Sequence, residues 1–395
     1  MNLMNLSKAY SELKVCDLSQ GVAGPHATML LAQFGADVIK VEPPDGDWGR
    51  GLGDRYGDHC AHSYIFNRGK RSVVLDLKSR EGLEVLRRLI ETSDVFVESF
   101  RPGVAAKLGL SYEAVQSIRP SIIYASLSGF GQSGPYSHHG TVDALIQGFS
   151  GMMVMNGTLD GQPHRQNMPA VDVLSGLYLF SALGSAIAQQ RRNGEGGRLD
   201  INLMQSAAAF QAAKIVEYHL SQGKPKPLYM PAGYLRTRDG AVCLATFRQS
   251  HYESLCNALG RPDLVTDSRF REISPRIQNG RVLMDELDRE TQRYDTALLL
   301  ELLQANGILV ERVQSYGDWI ADAHVQATGA YNWIEHEGIG HIPVASIPGL
   351  THDCIDPKVH RAPAIGEHSS EILEALELGQ GPFRPNDDVP SSSSM

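Results

Sequence analysis

The feature that most constrains this chain is an alternation of period across its first 130 residues. Five short runs read as strands: LKVCDLS from Leu13, DVIKVE from Asp37, SVVLDL from Ser72, DVFVE from Asp94 and IIYASLS from Ile122. Between them the period becomes helical. Residues 27–34 read as a helix closed by Gly35, with Pro25 as its opening residue. Residues 81–91 set Leu83, Leu86, Leu89 and Ile90 on one helical face. Strands alternating with helices at this spacing predict an α/β fold with a parallel, Rossmann-like sheet of right-handed βαβ units. In such a sheet ligands sit at the carboxyl ends of the strands.

The remainder is organised differently. Residues 172–190 and 200–220 read as long buried helices, and 223–227 (GKPKP) as a linker. A strand over 241–246, charged helices between 279 and 305, and Gly307 before ILVERV then predict a smaller α/β or α+β domain. At 395 residues the length prior is about 2.6 domains. We expect a large domain over 1–222, a small one over 223–330, and a disordered, Ser-rich tail over 382–395.

Composition narrows the function classes. With 42% hydrophobic and 21% charged residues, the chain is neither a disordered polymer nor a rod. Its net charge of −9 disfavours nucleic acid as a partner but allows a local basic pocket for one anionic ligand. The five cysteines are odd in number, widely spaced and without CxxC, which suits a reducing, cytoplasmic setting. The start, MNLMNLSKAYSELK, lacks a signal-peptide apolar core, and the apolar stretch 173–188 is short of a membrane span.

Few motifs carry chemistry. QGVAGPHATMLLAQFGADVIKVE places Gly21 and Gly24 before a helix and Glu42 at the end of a strand. A dinucleotide fingerprint needs three glycines, so a generic βαβ turn is the better reading, one whose backbone N–H groups can still cradle a nucleotide. There is no GxSxG elbow, no HExxH and no zinc spacing, so no metal site is expected, and His138-His139 reads as loop surface. Lys70, Arg71, Lys78 and Arg101 lie at strand ends, either as a solvated rim or as a grip for phosphate. Asp172 directly precedes an apolar helix. It reads as an N-cap, and the helix dipole would keep it ionised and hence usable as a nucleophile.

At this point six segments join into one pattern: VCDLSQGVAGPHATMLLAQFGADVIKVEPPDGD, NRGKRSVVLDLKSREG, DVFVESFRPGVAAKLGL, IIYASLSGFGQSGPY, PAVDVLSGLY and HRAPAIGEHSSEIL. The chain resembles the class III CoA-transferases, which include formyl-CoA and carnitine CoA-transferases. The resemblance implies a Rossmann-like large domain to which 331–381 returns, a small domain, and two chains interlocked as a homodimer. It implies acyl-CoA and a small carboxylic acid as substrates, with no prosthetic group, and Asp172 as the nucleophile. Contacts to coenzyme A would fall on Val22, Ala23, Leu75, Asp76, Leu77, Lys78, Ser99, Phe100, Arg101 and Lys107. They would continue on Gly140, Thr141, Val142 and Asp143. One family arginine falls on Pro43, where Arg50 or Arg71 could compensate, and only Ala232-Gly233-Tyr234 stands where some members carry a glycine-rich loop.

The implied chemistry suits an aspartate. A carboxyl of ordinary pKa is ionised at pH 7 and attacks a thioester without a general base, while N–H groups at a helix start serve the oxyanion. Gln147, His164 and Arg165 are candidates to face the acceptor acid. A dicarboxylate acceptor and succinyl-CoA as donor follow from family habit alone. The closest rival is the α-methylacyl-CoA racemase, whose catalytic histidine place is taken here by Val142, a side chain that exchanges no proton. An NAD-dependent oxidoreductase and a non-catalytic CoA-binding protein are the more distant alternatives.

Overall fold

The computed structural model describes residues 4–156, 162–224, 227–336, 338–350 and 361–377. Six strands form its main sheet: β1 (Lys14–Leu18), β2 (Asp37–Glu42), β3 (Arg71–Val74), β4 (Val95–Glu98), β5 (Ile123–Ser128) and β6 (Gly197–Asn202). All pair in parallel, in the order β3-β2-β1-β4-β5-β6. This is the doubly wound Rossmann order, in which the crevice between β1 and β4 is the expected ligand position.

Both faces of the sheet are covered. Val15, Val38, Val95, Val97, Ile123 and Ala125 meet Leu31, Leu179 and Leu183 on one side. Cys16, Leu18, Ile39, Val41, Phe96 and Tyr124 meet Leu86, Leu89 and Ile90 on the other. Two-sided burial explains why these strands read as apolar runs with both alternate positions hydrophobic.

The helices of this part are α1 (Ala23–Gln33), α2 (Ala61–Phe66), α3 (Arg80–Glu91), α4 (Val104–Lys107) and α5 (Tyr112–Ile118). They continue with α6 (Asp143–Phe149), α7 (Met152–Met155), α8 (Ala170–Asn193) and α9 (Leu203–Phe210), after which α10 (Ala212–Leu220) leads out of this part. Several differ from the sequence reading. α1 starts four residues earlier than predicted, so Pro25 is its third residue, while Gly35 follows the end with φ +99° as expected. β3 stops at Val74, because Asp76 and Ser79 already form the turn that caps α3. The stretch 200–220 is the end of a strand followed by two helices, and α10 has no buried residue.

α8 is 24 residues long and by length and composition could cross a membrane, contrary to the shorter run read from sequence. In this fold its stripe of Val171, Gly176, Leu179, Leu183 and Ile187 packs into the sheet's core beside α1.

The chain divides into two compact units, Met1–Ala212 with Gly329–Met395, and Ala213–Thr328. The second unit has its own antiparallel sheet, β7 (Ala232–Arg236), β8 (Ala241–Ala245) and β9 (Leu309–Arg312), paired in that order. Leu235, Tyr252, Leu255, Leu283, Leu287 and Leu299 form its core. In the first unit the returning segment makes a hairpin, β10 (Tyr331–His336) and β11 (Gly340–Ala345). Its final described helix, Ser369–Glu377, adds Ile372 and Leu376 to the core over β3 and α3. Residues 225–226 of the linker, Cys354 and the tail 382–395 lie outside the described residues.

Candidate active site

The turn after β1 is built on a buried layer of charge. The Asp17 carboxylate receives Lys70 Nζ at 3.0 Å and Thr28 Oγ1 at 2.6 Å. Lys40 Nζ donates to Ser19 O at 2.9 Å and to Asp47 Oδ2 at 2.8 Å. Asp47 Oδ1 in turn accepts Gly21 N at 2.9 Å and Gly49 N at 2.8 Å. Burial works to raise the Asp17 carboxyl, but Lys70 and Lys40 outweigh it and hold it below the usual range. In the same way burial opposes ionisation of Glu42, yet Arg50 and Lys40 bring it down to about 2. Glu42 and Arg50 share two bonds of 2.7 Å.

This layer settles several expectations. Glu42 is chelated by Arg50 and Ser72 and is not offered to a ribose, which removes the last element of a dinucleotide reading. Arg50 is buried, and Arg71 is held by Asp37 and Glu371, so neither replaces the arginine missing at Pro43. Lys70 is neither a solvated rim nor a phosphate grip, because Asp17, Pro25 O and Asn67 take its three protons. Three of the N–H groups after β1 are consumed as well: Ser19 N by Asp17, Gln20 N by Ser99 Oγ and Gly21 N by Asp47.

Asp172 is the third residue of α8, not its cap. The helix is preceded by Pro169, which offers no side-chain cap. Asp143 of α6 does the capping from outside: its Oδ2 accepts Val171 N at 2.6 Å and Asp172 N at 3.1 Å. Gln147 Nε2 donates to Asp143 Oδ1 at 2.6 Å, and its Oε1 accepts Gln166 N at 2.9 Å. Gln147 therefore braces the cap and does not face an acceptor acid, and Asp143 is a buried helix cap before it is a ligand contact. Ala170 N and Val173 N bond to Met168 O and Pro169 O, so the first four N–H groups of α8 are all taken. The start of α8 is thus not the oxyanion donor that the sequence suggested.

From the other side His26 of α1 bonds Val173 O through Nδ1 at 3.1 Å. Burial pushes its pKa down to about 4, so the ring is neutral at pH 7 and carries its proton on Nδ1. The approach is close enough that a Cβ on Gly176 would lie 2.7 Å from that nitrogen. Asp172 itself is pushed up to about 7, first by burial and then by the neighbouring Asp143 carboxylate. The expected free ionisation at pH 7 is therefore corrected: this carboxyl titrates near neutrality.

A pocket of about 110 Å³ at the carboxyl ends of β1, β4 and β5 gathers Asp172 with Val22, Ala23, Ser99, Thr141 and Val142. Leu75, Asp76, Leu77 and Lys78 lie in the loop after β3, and Phe100 and Arg101 follow β4. They share the sheet's carboxyl edge but do not line this pocket. Lys107 ends α4 and is exposed. The Arg101 guanidinium packs on Gly140, where a Cβ would come within 2.6 Å of it. Arg165 and His164 are exposed, and so are His138 and His139.

Six lining residues were not singled out from the sequence: Gln20, Trp48, Leu127, Ser128, Gly129 and Leu203. Trp48 lay unread in a loop taken as merely Gly- and Asp-rich, yet it packs so tightly on Gly21 that a Cβ there would be 2.3 Å from its ring. Gly129 has a comparable cause, since a Cβ would strike Thr141 Cγ2 at 2.1 Å. The one sequence signal for the capping role of Asp143 was Gln147, four residues on and so on the same helical face. No group of three or more metal-ligating side chains occurs among the described residues.

Comparison with known proteins bears on the family and the fold. The family profile described as CoA-transferase family III matches residues 10–369. The chain is 33% identical over 390 residues to the succinate--glutarate CoA-transferase of Agrobacterium fabrum, covering 95% of this chain and 98% of that one. It is 32% identical over 398 residues to the succinyl-CoA:mesaconate CoA-transferase of Haloarcula hispanica, covering 96% and 99%. The crystal structure of a CAIB/BAIF family protein from Brucella suis superposes with a TM-score of 0.81 at 33% identity, covering 92% of this chain and 98% of that one.

Proposed function

Because this chain belongs to CoA-transferase family III, we propose that it moves coenzyme A from an acyl-CoA to a carboxylic acid through covalent intermediates on Asp172. The observation that carries the reading is the half-buried Asp172 carboxyl in a pocket at the β1–β4 crevice, beside Val22, Ala23 and Ser99. An Asp172 oxygen attacks the thioester carbonyl, the C–S bond breaks, and CoA thiolate leaves a mixed anhydride. The thiolate then attacks the aspartyl carbonyl, releases the donor acid and forms an aspartyl-CoA thioester. The acceptor carboxylate displaces the thiolate to give a second anhydride. Attack of the thiolate on its acyl carbonyl yields the new acyl-CoA and restores Asp172.

Each tetrahedral oxyanion needs donors. Ala23 N and Gly24 N open α1, and no acceptor among the described residues takes them. Backbone donors at a helix start, in line with its dipole, suit that role. The exposed Lys78, Arg101 and Lys107 are the cations left for the phosphates of the ligand. Succinyl-CoA as donor and a small dicarboxylate as acceptor are supported by the names of the relatives from Agrobacterium and Haloarcula. We extend the proposal to a homodimer in a reducing cytoplasm; the four described cysteines are free thiols.

The test is a matrix of acyl-CoA donors against mono- and dicarboxylic acids, with products read by mass spectrometry. Succinyl-CoA with a five-carbon diacid should give the new thioester, and Asp172→Ala should lose roughly 10³-fold or more. Turnover by that variant at the wild-type rate, or α-epimerised product without exchange of CoA, would overturn the reading.

A further inference from the structure

A second site lies away from the Asp172 pocket, where the returning hairpin meets the loop before α2. His59, Tyr64 and His336 stack edge-on, with ring centroids 5.7, 5.2 and 5.0 Å apart for the pairs His59–Tyr64, His59–His336 and Tyr64–His336. His336 is 8% exposed and Tyr64 2%. Nevertheless Nδ1 and Nε2 of His336 and Oη of Tyr64 have no hydrogen-bond partner among the described residues. Buried polar atoms are nearly always paired, and leaving such a bond unmade is costly. Three such atoms in two touching rings therefore mark a place where something else completes the bonding.

Two cavities open on this cluster, and both are bounded by Tyr56. One, of about 530 Å³, is lined by His59, His336, Asp58, Arg361 and Glu367. The other, of about 390 Å³, is lined by Tyr64, Ala61, Ile65, Ile339, Ile342 and Pro343. Each is of small-molecule size. The chemistry of the walls selects the guest. Arg361 is paired with Glu367, Asp58 accepts Ile365 N, and Arg50 beside His59 is chelated by Glu42. The cations at this wall are thus already ion-paired and offer nothing to an anionic guest. A neutral imidazole offers one donor and one acceptor, and a phenol offers both. Burial, aided by Arg50, pushes His59 down to about 4 and burial raises the Tyr64 phenol, so both stay neutral at pH 7.

We propose that the His336–Tyr64 cluster binds an uncharged small molecule with an amide-type head and a short aliphatic body. The head presents an adjacent acceptor and donor to His336 and Tyr64, and the body enters the Ile65–Ile339–Ile342 cavity. This site is separate from the residues assigned to transfer chemistry, and it stands or falls independently of that chemistry.

Three probes of equal tail length test it: hexanamide, hexanoate and hexylamine, titrated against the full-length protein by ligand-observed NMR. Hexanamide should bind, and its signal should be unaffected by saturating CoA and by Asp172→Ala. His336→Phe and Tyr64→Phe should each weaken it about tenfold, the loss of one to two hydrogen bonds. Since either core change could disturb folding, Ala61→Trp is the second arm. Ala61 is exposed at the start of α2, so the indole should fill the apolar cavity and abolish binding without lowering the melting temperature. Equal binding of all three probes, competition by CoA, or no binding at all (a site satisfied by water) would each overturn the proposal.

Discussion

At the residue scale the decisive pair is Asp172 with Asp143. A nucleophile must be ionised, yet burial and the Asp143 carboxylate push Asp172 up to about 7. The free enzyme should therefore gain activity as pH rises through that value, because only the deprotonated carboxylate attacks. We expect kcat/KM for the acyl-CoA to fall about tenfold per pH unit well below an inflection near 7. Asp143→Asn keeps the shape and one acceptor oxygen but removes the like charge. Its acid limb should move to lower pH, by an amount that reports the coupling, while kcat drops from the weakened cap. An unshifted inflection in that variant would assign the raised pKa to burial alone. Asp172 was legible in the sequence as a residue of interest because a carboxylate before an apolar run is a cap signal. Its position within the first turn was not, because the cap comes from Asp143, 29 residues upstream, and only folding brings the two together.

At the element scale the alternation of period was enough to give the parallel sheet. The strands with two buried faces, β1, β2, β4 and β5, were the easily read ones. β6 was missed because GRLDIN sits at the sheet edge, where charged residues alternate with apolar ones inside what read as a helix. The charge layer beneath the β1 turn was invisible for a related reason. Asp17, Lys40 and Lys70 lie in runs that read as ordinary strand positions or flanks, and their pairing depends on register. That layer carries a prediction. Asp47 is 2% exposed and holds Lys40, Gly21 N and Gly49 N at once. Asp47→Ala leaves a buried ammonium without its partner, a loss of about 3–5 kcal/mol in unfolding free energy. Urea unfolding should show it, and KM for acyl-CoA should rise because the Gly21–Ala23 turn and the Trp48 wall lose their tie. A midpoint within experimental scatter of wild type would mean that Lys40 finds a substitute partner.

At the scale of the whole molecule the open question is what covers the apolar side chains left bare. Phe149 on α6, Tyr178 on α8 and Phe210 on α9 are 52%, 42% and 57% exposed. The three helices that carry them pack on one another. Leu145 and Leu177 join them at 60% and 46%. Isolated exposed hydrophobics are ordinary on a protein surface, but a contiguous group of large ones marks an interface. Stretches that the sequence read as buried helices emerge half exposed in one chain. The proposed homodimer would supply the missing surface. Burying one such aromatic side chain contributes about 1.5–3 kcal/mol, and a two-fold interface would use each residue twice. Tyr178→Asp with Phe210→Asp should therefore convert the dimer to monomer in sedimentation equilibrium at micromolar concentration. The monomer should keep the Rossmann core, judged by an unchanged far-ultraviolet dichroism spectrum. A wild-type sample that sediments as a monomer, or a double variant that remains dimeric, would move the interface elsewhere and leave this face unexplained.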